Sequence, residues 1–321
     1  MRKRMQINEL STDLMQKLGK INLFVCSASY EERCMSIPTV LKEIVLKVVI
    51  AENENHKAMH RPYVKQLDKL FPKASWAMLD TTQPLKTADA LFKMVEGDSI
   101  QDKHIVVDMT TFTHETLLIL FKVLDMKHLL QRTLFLYCCA KTYSNEELDG
   151  KKWLSRGVGV VRSVLGYPGQ MRPSQNLHLI VLTGFEVERV SELIRRYEPS
   201  IISLGYPKSD EPNASLHENL SSTSYKILKA IHGSVQEFVF DCYDPQKTEQ
   251  AIVDQMRKIT GHNTVVAPLN TKLSTIGEAM AATSQEDIQL CYAEALVYNY
   301  QHYSTPGDTC YLFQADATKD W

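Results

Sequence analysis

From Ile21 onward, short apolar runs rich in β-branched and aromatic residues alternate with longer amphipathic stretches, and no other feature restricts the fold as strongly. Strands separated by helices form βαβ units, since parallel neighbours need a crossover connection that a hairpin turn cannot supply. The fold class is therefore α/β, with mainly parallel sheets. In the first half, strands are expected at Ile21 to Cys26, Lys47 to Ala51, Ser75 to Leu79, His104 to Asp108 and Thr133 to Cys139. Helices are expected over Lys57 to Leu70 and His114 to Leu130, and a leading helix sets Ile7, Leu10, Leu14 and Leu18 on one face. In the second half, strands are expected at Leu177 to Thr183, Ser200 to Leu204, Val235 to Asp241, Asn263 to Ala267 and Asp287 to Tyr292. Asp244 and Pro245 supply an N-cap and first residue for the helix before Asn263.

The two halves repeat each other. FVCSASYEERC after the first strand is matched by LIVLTGFEVERV, so that Tyr30, Glu31 and Arg33 correspond to Phe185, Glu186 and Arg189 with one insertion. After the fourth strand, IVVDMTTFTHET is matched by TVVAPLNTKLST. Glu31 precedes Asp108 by 77 positions and Glu186 precedes Pro268 by 82, so the motifs keep their spacing. With 321 residues the chain suits two domains, read as tandem Rossmann-like units in a pseudo-twofold internal repeat. The expected boundaries are 1–140, a glycine- and proline-bearing linker at 141–176, and 177–321. A terminal β-hairpin is expected to turn at Pro306, Gly307 and Asp308.

In a sheet of order 3-2-1-4-5, ligands bind beyond the carboxyl ends of strands 1 and 4, where the connections diverge to opposite faces. The repeated segments are those loops: Ser27 to Arg33 with Asp108 to His114, and Thr183 to Arg189 with Pro268 to Thr275. Both open helices, whose unpaired N–H groups attract phosphate or carboxylate. The expected ligand contacts are Ser29, Arg33, Asp108, Thr110, Thr111, His114, Arg189, Asn270, Thr271 and Lys272. Ser29 with Glu32, and Thr183 with Glu186, also fit a capping box, in which hydroxyl and carboxylate satisfy backbone amides and need no ligand.

Composition narrows the partners. Lys and Arg total 36 against 38 acids, so a net charge of −2 gives no bulk attraction to nucleic acid or anionic membrane. No apolar run reaches the ~18 residues of a spanning helix, and the start lacks a signal-peptide core, so a cytoplasmic protein without a membrane partner is expected. Seven cysteines without a C-x-x-C read as reduced core residues. His56 and His60 share a helical spacing but lack the HExxH pattern, and no metal site is assigned. Gly157-x-Gly159 lacks the preceding strand and third glycine of a dinucleotide fingerprint, so no cofactor is assigned either. Lys151, Lys152, Arg156, Arg162 and Arg172, with Trp153 and Tyr167, give residues 151–172 a basic, aromatic character; a charged interdomain loop is favoured there over a nucleic-acid surface.

Val106 to Thr116, a strand ending in an acid followed by threonines and a helix, and Val265 to Gly277, where Asn270 follows the strand, resemble the ligand loops of CRISPR-associated Rossmann-fold (CARF) sensors. Those sensors bind cyclic oligonucleotide messengers between two Rossmann units. The resemblance implies ligand contacts at Thr110, Thr111, Asn270, Thr271 and Lys272, and a place in prokaryotic defence. The leading expectation is a regulatory subunit that senses a nucleotide-type anion and works with a separate effector chain or as a homo-oligomer. The competing one is a nucleotide- or nucleoside-processing enzyme, with Glu31 or Glu186 as nucleophile or general base and His114 as acid. A structural adaptor is the third.

Overall fold

A computed structural model describes residues 2–96, 104–143, 153–212, 214–301 and 303–315. The side chains of His56 and His60, and Lys151 and Lys152, lie outside what it describes. The chain forms two compact units.

Unit 1 comprises Met1–Lys152 and Asn299–Trp321. Its strands are β1 (Arg2–Gln6), β2 (Ile21–Ser27), β3 (Val45–Asn53), β4 (Ser75–Leu79), β5 (Ile105–Asp108) and β6 (Thr133–Tyr143), joined by a strand from the end of the chain, Ser304–Phe313. Its helices are α1 (Leu10–Leu18), α2 (Ser36–Leu41), α3 (Lys57–Leu70), α4 (Pro84–Met94) and α5 (His114–Met126). Unit 2 comprises Trp153–Tyr298. It contains β7 (Ser155–Pro168), β8 (Asn176–Leu182), β9 (Ile201–Lys208), β10 (Gln236–Asp241), β11 (His262–Pro268) and β12 (Ile288–Tyr298). Its helices are α6 (Val187–Tyr197), α7 (Ala214–His232), α8 (Pro245–Lys258) and α9 (Lys272–Ser284); the strand at Ser304–Phe313 is β13.

The expected order 3-2-1-4-5 is present twice. In unit 1, β4-β3-β2-β5-β6 are all parallel, and in unit 2, β10-β9-β8-β11-β12 are all parallel. The central strands are buried on both faces, so they read as continuous apolar runs: every residue of β5 is buried, as are Leu179 to Leu182 of β8. Phe24, Cys26, Ile50, Val106, Leu136 and Cys138 belong to one core, and Leu179, Val181, Val190, Leu193, Leu204 and Val265 to the other. All seven cysteines are buried, and no disulfide joins any two of them. Asp244 caps α8 as expected, its Oδ1 accepting the amides of Gln246 at 3.1 Å and Lys247 at 3.2 Å.

The sixth strand of each sheet corrects the expected boundaries. Residues 141–176 are not a linker, because Ser155–Pro168 is β7 and pairs antiparallel with β12. Its glycines, the reason for reading a loop, make room for a neighbour: a Cβ at Gly157 or Gly159 would stand 3.1 or 3.2 Å from the Leu296 side chain. Two C-terminal strands are present, but they do not form a hairpin. β12 stays in the second sheet, whereas β13 lies between β6 and β1 in the first, antiparallel to both. Pro306, Gly307 and Asp308 sit inside β13 at an irregularity in its pairing with β6, where turn-like residues make a bulge instead of a turn. The second unit thus ends at Tyr298 rather than at the last residue. Unit 2 is one continuous segment that opens with β7, the antiparallel partner of β12, whereas unit 1 is completed by β13 from beyond unit 2, antiparallel to β6.

Candidate functional site

Because β2 and β5 are adjacent and parallel, their carboxyl-terminal loops share one end of the sheet, and Thr111 Oγ1 donates to the Ser27 carbonyl at 3.0 Å. In unit 2, Asn270 Nδ2 donates to the Thr183 carbonyl at 2.6 Å. Gly184 is required here, since a Cβ would fall 1.7 Å from the Leu269 carbonyl oxygen. Thr113 caps α5 by accepting the Thr116 amide at 3.1 Å, and Thr271 caps α9 by accepting the Ser274 amide at 3.0 Å. His114 and Lys272, both half-buried, are therefore the first residues of equivalent helices. Thr110 faces inward, its Oγ1 accepting the Cys138 amide at 2.9 Å.

The repeated Glu–Arg motif forms a network in each unit, around a buried arginine. Arg33 donates Nε and Nη2 to Glu31 Oε2 at 3.0 and 2.6 Å, and Nη1 to the Cys138 carbonyl at 3.1 Å. The hydroxyl of Ser304, the first residue of β13, donates to the same carboxylate oxygen at 2.5 Å. The guanidinium lies 5.5 Å from the Tyr143 ring, and the Tyr143 and Tyr137 hydroxyls are 3.2 Å apart. In unit 2, Arg189 donates Nη1 to Glu186 Oε2 at 3.0 Å and Nε to the Ala293 carbonyl at 2.8 Å. Ser155, the first residue of β7, donates to Glu186 Oε1. Arg189 stands 5.5 Å from the Tyr292 ring, and Tyr292 hydrogen-bonds Tyr298. Tyr137 and Cys138 thus correspond to Tyr292 and Ala293, and Tyr143 to Tyr298.

Burial opposes the charge on both arginines, but the adjoining glutamates outweigh it and raise both guanidinium pKa values, so both guanidinium groups stay charged. Arg33 and Arg189 are 3% and 7% exposed and bind their own glutamates, so they hold the crevice loops rather than offer a bare anion site. Glu31 and Glu186 each accept from an arginine and a serine. The capping boxes are not formed. Ser29 Oγ accepts the Glu31 amide at 3.2 Å in a local turn, Glu32 is exposed, and α6 starts after Glu186 with no side-chain cap. Among the described residues, the buried Thr183 hydroxyl and Arg189 Nη2 have no hydrogen-bond partner.

Asp108 is 2% exposed at the end of β5, with Oδ1 accepting the Thr110 amide at 3.0 Å. Burial pushes its carboxyl up to about 7 against the opposing pull of Thr110 and Arg33. The sequence reading missed Glu278 of α9, which is fully buried with neither oxygen hydrogen-bonded among the described residues, its pKa raised well above the usual range by burial. Counted from the two threonine caps, it stands where α5 has Leu120. A lone acid on an apolar helix face was its only signal. The reading also missed Ser155, Ser304, Tyr143 and Tyr298 as partners of the Glu–Arg pairs.

Elsewhere, Arg156 lies 4.5 Å from the Trp153 ring and Tyr167 is buried, so the aromatic residues of that basic segment are used internally. Among the described residues, no group of three or more His, Cys, Asp or Glu is placed to hold a metal ion, and no helix is long and apolar enough to cross a membrane.

Fold and site define an α/β protein of two Rossmann-like units with a repeated Glu–Arg–Ser network. No protein-family model and no curated protein matches the chain. Similar solved structures include the cytoplasmic domain of a prokaryotic cation chloride cotransporter, at 11% identity over 88% of this chain and 99% of that one, with a TM-score of 0.26. AtPrR2 with NADP+ and (+)pinoresinol is 8% identical over 73% and 82%, with a TM-score of 0.27. An uncharacterised protein from Mycobacterium Paratuberculosis is 7% identical over 91% and 85%, with a TM-score of 0.26. Likenesses of this degree carry no argument about function.

Proposed function

We propose that this chain is a ligand-sensing regulatory subunit that binds a nucleotide-type anion at its switch-point loops and acts through a separate effector chain or a second copy. The cytoplasm is its proposed setting, and prokaryotic defence, from the CARF resemblance, its proposed context. The observation that carries the reading is the double Glu–Arg network: both candidate nucleophiles are held in ion pairs, buried in unit 1 and partly buried in unit 2, while His114 and Lys272 begin the helices that open from the crevices. Two buried donors of unit 2, Thr183 Oγ1 and Arg189 Nη2, add unmet hydrogen-bonding capacity there. Calorimetry against mono-, di- and cyclic nucleotides tests it. Lys272→Ala and His114→Asn are expected to weaken binding about tenfold or more each, the scale of a charge-assisted contact, with no product formed.

The enzyme reading keeps one observation in its favour, which concerns Asp108 rather than either glutamate. A carboxyl with its pKa near 7 at a switch point is matched to proton transfer at neutral pH. Turnover of a nucleotide that Asp108→Asn abolishes in a folded protein would replace the sensor reading with this one.

A further inference from the structure

Unit 1 carries a cavity away from its crevice loops. Four leucines form its walls, Leu14 and Leu18 of α1, Leu134 of β6 and Leu312 of β13, around a space of about 30 Å³. Leu134 is the second residue of β6, so the space lies towards the amino ends of the parallel strands, whereas the crevice loops leave from their carboxyl ends. Leu14, Leu134 and Leu312 are buried, as is Gln314, which also lines the space and donates Nε2 to the Gln131 carbonyl at 2.8 Å. The mouth is cationic. The side chains of Lys3 of β1 and Lys17 of α1, 38% and 31% exposed, complete the lining. Both reach the same acid: Lys3 Nζ donates to Asp13 Oδ1 at 2.5 Å, and Lys17 Nζ lies 3.2 Å from Asp13 Oδ2. The bond to Asp13 raises the Lys3 pKa, so its ammonium stays charged; Glu9 attracts Lys3 more weakly and lies outside the lining.

We propose that this slot is a second binding site, for a short aliphatic carboxylate whose hydrocarbon end enters between the leucines and whose carboxylate takes the N–H donors of Lys3 and Lys17 that Asp13 leaves over. A bound water needs two to four polar partners, which leucine walls do not supply, so the floor suits an aliphatic group. An apolar cavity of about 150 Å³ holds benzene; one of about 30 Å³ takes the end of a short chain and not a ring. At the mouth, two ammonium groups with three donors each meet one carboxylate, which leaves both donors and positive charge in excess. That excess is a single charge. A carboxylate matches it, whereas a phosphate monoester brings about two negative charges at neutral pH. The site is separate from the crevice and holds whether or not a nucleotide binds there.

Saturation-transfer NMR on the full chain with acetate, butyrate and hexanoate tests it. Affinity is expected to rise about fourfold per added methylene until the slot is full, and the methyl protons of butyrate should receive more saturation than those beside the carboxylate. Lys17→Gln is expected to weaken butyrate about threefold to fivefold, the scale of a partly exposed ion pair, and to leave neutral 1-butanol unchanged. Leu18→Trp, which fills the slot from a partly buried position, should abolish the butyrate signal. If that variant does not fold, Leu18→Ala, which widens the slot, should shift the preference to the longer acid. Lys272→Ala, in the other unit, should change nothing. Absence of transfer to butyrate would overturn the proposal, as would a signal that survives Leu18→Trp, a length preference unmoved by Leu18→Ala, or a signal lost in Lys272→Ala. Equal losses of butyrate and 1-butanol in Lys17→Gln would also overturn it, since the lysines would then not be reading charge.

Discussion

In unit 1, all three guanidinium nitrogens of Arg33 have partners and the Glu31 side chain is 8% exposed, whereas in unit 2, Arg189 Nη2 is buried without a partner and Glu186 is 18% exposed. The loop after the first strand continues in unit 1 as a 3-10 turn and the six-residue α2, and in unit 2 as the 11-residue α6. The acids that burial perturbs also differ. Unit 1 places Asp108 at its switch point, and unit 2 places Glu278 in the middle of α9, where unit 1 has Leu120. Contacts that hold a fifth strand to a first-strand loop are thus duplicated, while the groups that can titrate or accept a new partner are not. One frame used twice leaves each copy free to vary only the polar groups that the frame does not need.

The largest expected effect comes from breaking the tighter pair. Arg33→Ala leaves Glu31 buried without its counter-ion and is expected to cost about 3–5 kcal/mol. Arg189→Ala is expected to cost less, because Glu186 reaches solvent more readily and one nitrogen of Arg189 is already unpartnered. Urea denaturation of both variants ranks the units, and equal costs would break the comparison.

Asp108 should make unit 1 sensitive to pH. Its folded pKa is raised from 3.8 to about 7, so its contribution to stability is whole below about 4 and is lost as pH rises to about 7. The slope is expected to reach about 1.4 kcal/mol per pH unit within that window. Asp108→Asn removes this component, and a denaturation midpoint with the same pH dependence in wild type and variant would contradict the assignment.

A smaller gain is expected from giving unit 2 the residue of unit 1. Glu278→Leu replaces an unpartnered buried carboxyl by an apolar side chain and is expected to stabilise the protein by about 1–3 kcal/mol. Because burial raises the Glu278 pKa, the penalty it removes grows as pH rises, so the gain should be larger in alkaline than in acidic buffer. A loss of stability at all pH values would show that the carboxyl has a stabilising partner.

Local pattern made much of this fold legible. Lys57–Leu70 and Ser75–Leu79 have the expected bounds, and the order 3-2-1-4-5 follows from parallel strands with helical crossovers. What remained hidden is non-local. β7 is interrupted by glycines that accommodate Leu296, and β1 is a short, basic strand with Met5 as its one buried residue, so neither carries a strand pattern strong enough to read. Nothing within β7 or β13 states which sheet it joins. The site was misread for the same reason. The repeat brought out Glu31, Arg33, Glu186 and Arg189, but Ser304 and Ser155 arrive on β13 and β7, outside the repeated motifs, so arginines with internal partners looked like arginines awaiting a ligand.

The return of β13 to the first sheet, beside β6, can be tested by a crosslink. Thr142 of β6 and Thr305 of β13 are opposite each other in the sheet, with hydroxyl oxygens 2.7 Å apart, although more than half the chain separates them in sequence. Thr142→Cys combined with Thr305→Cys is expected to form an intramolecular disulfide on mild oxidation of the folded protein, seen as one linked peptide pair by mass spectrometry. The same treatment should leave the seven native cysteines, all buried, unlinked. Absence of the 142–305 link in folded protein, with β13 instead crosslinking to β12, would contradict the account.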